Sequence, residues 1–162
     1  EVKNQVPELL ELFCQMRSVE GAALGDILGG QLDAVAGIIK KAGVTAEARQ
    51  ARTGDLLKEK VTALLEATDQ GDPARLQQEL AILAVKADVR EEIDRLTAHV
   101  AAARDLLTSG EAVGRRLDFL TQEFNREANT LCSKSPIDKM TRIGLELKTV
   151  IDQLREQAAN VE

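Results

Sequence analysis

Apolar residues recur at spacings of three and four along most of the chain, the period of a helix with one buried face. Leu9, Leu10, Leu12, Phe13 and Met16 form a first apolar face; Leu24, Ile27, Leu28, Leu32, Val35, Ile38 and Ile39 form a second. Together they predict one long helix, or two joined, from 4 to about 42. Pro7 suits its first turn and Gly43 is a natural stop. Gly21, Gly25, Gly29, Gly30 and Gly37 each cost about 0.8–1 kcal/mol relative to Ala in a helix interior. They predict close packing, a kink, or backbone approach to a partner near Gly21. Thr45 is placed to cap a second helix over about 46–68. Gln70-Gly71-Asp72-Pro73 is the clearest break. From there a seam including Leu76, Leu80, Leu83, Ile93, Leu96, Val100 and Leu107 predicts a helix over about 73–108, roughly 54 Å long. Such a length implies a coiled-coil-like hairpin or a subunit interface. Ser109-Gly110 closes it. Val113, Leu117, Leu120, Phe124 and Leu131 predict a helix over about 111–131, and Met140, Ile143, Leu147 and Leu154 another over about 137–160. The expected fold is all-α: about five long antiparallel helices in a helical hairpin or bundle, with no sheet. The breaks divide it into a hairpin at 1–72 and a helical region at 73–162.

Composition supports this and narrows the rest. The chain has 162 residues, 44% hydrophobic and 2% aromatic, with no Trp or Tyr. Its core must therefore be packed from Leu, Ile, Val and Ala. The net charge of −6 argues against a protein that simply coats nucleic acid. Cys14 and Cys132 lie far apart and read as free thiols in a reducing compartment, the cytoplasm. No apolar run looks long enough to span a bilayer, so no membrane partner is expected. The chain opens on Glu within a helical pattern, so an upstream domain is expected beyond it.

The densest chemistry lies at Gly114–Lys134. A helix that has only to be soluble can use repeated Glu and Lys. This one mixes Arg, Asn, Gln and Glu, which make directed hydrogen bonds and bind phosphates or metals. It is not a basic strip: Glu111, Asp118, Glu123 and Glu127 balance Arg115, Arg116, Arg126 and Lys134. Glu123 and Glu127 stand at i, i+4 and could face one cation, with Arg116 on the same side. Arg115, Gln122, Arg126, Asn129 and Ser133 occupy the opposite side. On the preceding helix Asp88, Glu92, Arg95 and His99 stack on one face, and Glu91 pairs with Arg95. His99, the only histidine, is either a surface or satisfied core residue or a ligand. The blander reading of both faces is solvated ion pairing worth about 0.2–0.5 kcal/mol per pair. If the two helices pack antiparallel, Glu92, His99, Glu123 and Glu127 become a hard-ligand set for Mg²⁺ or Mn²⁺, or an acid–base set.

Arg90-Glu-Glu-Ile-Asp-Arg-Leu-Thr-Ala-His99, the run from Val113 to Thr130, Ser133-Lys134, Glu146-Leu-Lys148 and Asn160-Val-Glu162 resemble the C-terminal region of the bacterial YicC/YloC family. Met16-Arg-Ser-Val-Glu-Gly21 and Gln78-Glu-Leu-Ala81 extend the likeness upstream. The resemblance implies a divalent-metal-dependent endoribonuclease, with Mn²⁺ or Mg²⁺, that closes around RNA as a ring-like homo-oligomer, a hexamer. DNA is not an expected partner. One position departs: Cys132 stands where the family usually has Gly, a residue that would favour a left-handed helix end. Among the matching polar positions, Glu92, His99, Glu123 and Glu127 are the catalytic and metal candidates. Arg115, Arg116, Arg126 and Lys134 are the phosphate candidates, and Gln122, Asn125 and Asn129 candidates for sugar, base or partner-helix contacts. The alternative is a module that only oligomerises and clamps RNA, with cleavage supplied by the missing domain or a partner nuclease.

Overall fold

A computed structural model describes residues 2–67, 78, 88–134 and 138–161. Among them are four helices and no strand: α1 (Val2–Ala67), α2 (Arg90–Thr108), α3 (Gly114–Lys134) and α4 (Asp138–Ala158). α1 packs on α2 and α4, and α3 on the same two, closing a four-helix bundle. The ion pairs Asp33–Arg104 and Glu47–Arg90 run α2 antiparallel to α1. Asn125–Asp152 and the contact of Cys132 with Gly144 do the same for α3 and α4. The core is the predicted seam: Leu28, Leu32, Val35, Leu96, Phe124, Leu131, Leu147 and Ile151 are all essentially inaccessible.

Three expectations are corrected. The first is the helix boundary expected at 43–45. α1 runs unbroken for 66 residues through Gly43 and Thr45, so two expected helices are one, and Pro7 lies inside it. The Thr45 hydroxyl donates to the Lys41 carbonyl at 2.8 Å, bonding back along the helix instead of capping a new one. Packing outweighs the local stop: Ile38, Ile39 and Ala42 are buried, and Lys41 reaches Glu146 of α4 at 3.2 Å. The second is the helix expected to run from 73 to 108. Residues 88 and 89 are not helical, and α2 begins at Arg90. Asp88 Oδ1 accepts from the Arg90 amide two residues on at 2.9 Å, a local turn that competes with helix, and Val89, the N-cap residue, is buried in the core. The earlier part of that helix and the break at 70–73 lie outside the described residues, as does the expected division at 72/73. The third concerns membrane-spanning length. A window within 6–49 of α1 is long and apolar enough to cross a membrane by length and composition. Its apolar residues include Leu28, Leu32, Val35 and Ile39, which here form the bundle core.

The turn at Ser109 and Gly110 closes α2 as expected. Gly110 has φ 69°, the left-handed conformation that glycine adopts without strain. α3 continues through Cys132 to Lys134, so position 132 does not end a helix. Its thiol instead occupies the space left by Gly144: a Cβ there would sit 2.2 Å from Cys132 Sγ but 3.8 Å from Cys132 Cβ.

At about 1.5 Å per residue α1 is roughly 99 Å long, against about 30 Å for each of the other three. The buried residues described on it, Leu28 to Ala42, lie in its middle. Nearer the N-terminus Leu9, Leu12, Phe13, Met16 and Val19 are 54–73% exposed, so the first apolar face is largely open in the described structure.

The Cys132–Gly144 contact gives a test of packing. Gly144→Ala should destabilise by about 1–3 kcal/mol through overpacking. Cys132→Ala in the same chain should recover most of that, measured by urea unfolding.

Candidate metal and RNA site on helices α2 and α3

α2 and α3 meet along a row of polar contacts set into an apolar interface. Lys134 Nζ lies 2.7 Å from Glu92 Oε1, and Arg95 Nη1 lies 3.2 Å from Glu127 Oε1. The His99 ring meets Phe124 edge-on at 5.7 Å. Residue numbers rise on α2 as they fall on α3, which is the antiparallel pairing expected of these helices. It buries two carboxylates almost completely: the side chains of Glu92 and Glu127 are each 4% exposed. Buried charges persist only when paired, and each has a cation. The hydrogen bond from Lys134 to Glu92 raises the lysine's pKa, with the nearby acids Glu91 and Asp88 adding to the effect against partial burial. Arg95 is likewise raised, first by its hydrogen bond to Glu127, then by the charge of Glu91, which it also contacts at 2.5 Å.

The structure brings three of the four candidate ligands together. Ligand atoms of His99, Glu123 and Glu127 all lie within 4.8 Å of one another. His99 Nε2 is buried and has no hydrogen-bond partner. That is a costly state for a polar nitrogen, and a cation would relieve it. Two ligands of one small divalent ion at about 2.1 Å bonds sit at most roughly 4.2 Å apart, so side-chain adjustment of well under an ångström or so closes the set. Imidazole nitrogen with two carboxylates suits Mn²⁺ or Mg²⁺. Arg95 contacts Glu127 Oε1. The fourth candidate, Glu92, is placed elsewhere along α2, bound through Oε1 to Lys134, with Oε2 buried and unpartnered. Asp88 is exposed and accepts from the Arg90 amide at the start of α2.

The phosphate and base candidates divide. Lys134 is held by Glu92, Arg116 pairs with Glu111 at 3.4 Å, and Arg126 stands 3.9 Å from Glu123. Asn125 faces α4, donating to Asp152 at 3.5 Å, and Gln122 donates to Asp118 at 2.9 Å. Arg115 and Asn129 are exposed. The cross-helix pairs Lys134–Glu92 and Arg95–Glu127 were not legible in the sequence, because single-helix spacing cannot give the register between helices. Phe119 was also missed. It is 60% exposed and lies off the apolar seam; its spacing from Arg115 and Gln122 already put it on the polar side.

Residues 42–162 match the family model described as "Endoribonuclease YicC-like, C-terminal". The chain belongs to the YicC family. It is 40% identical over 159 residues to a protein of Haemophilus influenzae named "Probable endoribonuclease YicC", covering 96% of this chain and 53% of that protein. A Clostridioides difficile protein of the same name is 32% identical over 161 residues, covering 99% of this chain and 55% of its own length. The chain thus spans about half the length of the curated YicC relatives it matches. The matched region includes α2, α3 and α4, so the whole polar row lies within the family's C-terminal region.

Lys134 has a raised pKa, so the pair's stabilisation is complete below the ordinary lysine value of 10.5 and is lost as pH rises through the raised value. Lys134→Gln should destabilise by about 1–3 kcal/mol at neutral pH, since it strands Glu92 in a partly solvated pair. The gap in Tm between wild type and variant should hold across neutral pH and narrow only above about 10.5.

Proposed function

We propose that this region carries the catalytic cation site of an endoribonuclease, acting on RNA phosphodiester bonds within a cytoplasmic homo-oligomer. The observation that carries the reading is the convergence of His99, Glu123 and Glu127, beside which stands the buried, unpartnered His99 Nε2. His99, Glu123 and Glu127 would hold Mg²⁺ or Mn²⁺. When bound, such an ion polarises a phosphoryl oxygen and lowers the pKa of a bound water. The chain's own groups supply the rest. Arg95 fixes the Glu127 carboxylate and offsets part of its charge. Phe124 sets the His99 ring by edge contact. Arg115 and Arg126, on the open side of α3, are placed to hold phosphate oxygens. Gln122 and Asn129 offer donors and acceptors to sugar or base. The names of the YicC relatives support RNA as the substrate. The exposed apolar residues of α1 from Leu9 to Val19 favour a multi-subunit assembly such as the hexameric ring.

A second reading has one observation in its favour. With a net charge of −6, and with Arg95, Arg116 and Lys134 each tied to a carboxylate, the cationic path on this region is narrow. A module that assembles subunits and grips RNA would need no more.

The test is cleavage of a structured RNA by the full-length protein, with Mn²⁺ or Mg²⁺ and with EDTA. Wild type should cut only with the metal. Glu123→Gln and Glu127→Gln should each lose about 100-fold or more, and His99→Ala should weaken Mn²⁺ binding followed by electron paramagnetic resonance. Undiminished metal-dependent cutting by both Glu variants would move the reaction away from this site and leave the clamp.

A further inference from the structure

The side of α3 facing away from the bundle has its own regular pattern. Arg115, Phe119, Gln122, Arg126 and Asn129 follow at alternating steps of four and three, and every one is exposed. This is one continuous stripe, and it contains no acid. A single exposed apolar side chain is ordinary on a protein surface, so exposure alone decides nothing at Phe119. Its type and company do. The chain has three phenylalanines and no other large ring. Phe124 fills the core at 0% exposure, whereas Phe119 stands 60% exposed. An arginine one turn before it and a glutamine one turn after lie on the same stripe. Arg115 has no ion pair with any described residue. Arg126 makes only the loose 3.9 Å contact with Glu123. Gln122 spends its amide N–H on Asp118 and keeps its carbonyl.

We infer that Phe119 is a stacking platform for one base of single-stranded RNA, with Arg115 and Arg126 on the flanking phosphates. The occupant follows from the chemistry. An aromatic face between guanidinium groups suits a base between phosphates, and such stacking tolerates any base. Duplex RNA keeps its bases stacked on one another and offers none to a side chain. The stripe borders the one that carries Glu123 and Glu127. Phe119 lies about 6 Å and 12 Å along the helix axis from them, so a base stacked on it sets a phosphate one or two nucleotides away beside the cation ligands. The inference rests on the proposed endoribonuclease reading and adds to it the residue that positions the strand.

The test uses the full-length protein and a labelled single-stranded RNA of about 12 nucleotides, 2′-O-methylated so that it is bound and not cut, with binding read by fluorescence anisotropy at several salt concentrations. Phe119→Ala should weaken binding by about 5- to 100-fold without changing the salt dependence. Phe119→Trp should restore affinity, with tryptophan emission quenched on binding. Arg115→Ala should weaken binding and reduce the salt slope by about one. Leu145→Ala, at another exposed apolar position (57%), should bind as wild type does. Unchanged binding by Phe119→Ala, with Arg115→Ala still impaired, would overturn the platform while leaving RNA binding intact. A drop to smaller oligomers for Phe119→Ala in light scattering would overturn it in favour of a subunit contact. If the wild-type protein neither binds nor cuts RNA, the endoribonuclease reading fails and this inference with it.

Discussion

Two carboxylates buried between α2 and α3 constrain everything around them. Glu92 and Glu127 are each 4% exposed, and an isolated charge in such a place would be untenable. Lys134 and Arg95 resolve the problem from the facing helix. The interface can therefore close in only one register, since a slide of one turn would strand both acids. That register also delivers His99 to Phe124 and to the Glu123–Glu127 flank. Pairs of this kind give little net stability over well-packed apolar residues. Their effect here is on alignment.

The same constraint explains the division of charged groups on α3. Residues on the α2 side are committed: Glu127 to Arg95, Lys134 to Glu92. Residues on the outer side are free of such duty, and that is where the arginines and amides accumulate. Apolar packing determines how far the helix can rotate to present either side. Phe124, Ala128 and Leu131 are wholly buried, and Cys132 is seated against Gly144. One face of α3 is thus held by fit, one by charge, and the third is open to solvent.

Much of this was legible in the sequence. The seam through Val113, Leu117, Phe124 and Leu131 gave α3 and its buried face. The convergence of His99 with Glu123 and Glu127 followed from two helices joined by a short turn at Ser109-Gly110. What failed did so for physical reasons. Gly43 and Thr45 are local stop-and-start residues, and a local rule cannot weigh Ile39 and Ala42 packed into the bundle on the same turn. At 88–89 a continuous apolar period concealed the start of α2, because Val89 serves the core equally well from outside the helix. Glu92 looked equivalent to the other acids on its face, and only the position of Lys134 distinguishes it.

The length of α1 has a mechanical consequence. The helix is a wall of the bundle in its middle and an arm beyond it, with no break between the two. Residues 2–23 extend about 33 Å along the axis. Stiffness carries any tilt of the wall to the arm's tip, so a 5° change in how α1 leans on α2 and α4 moves that tip by about 3 Å. A small adjustment at the bundle becomes a displacement the size of an atom's full diameter at the far end. Whatever grips the arm senses the packing angle of the bundle through a rigid lever.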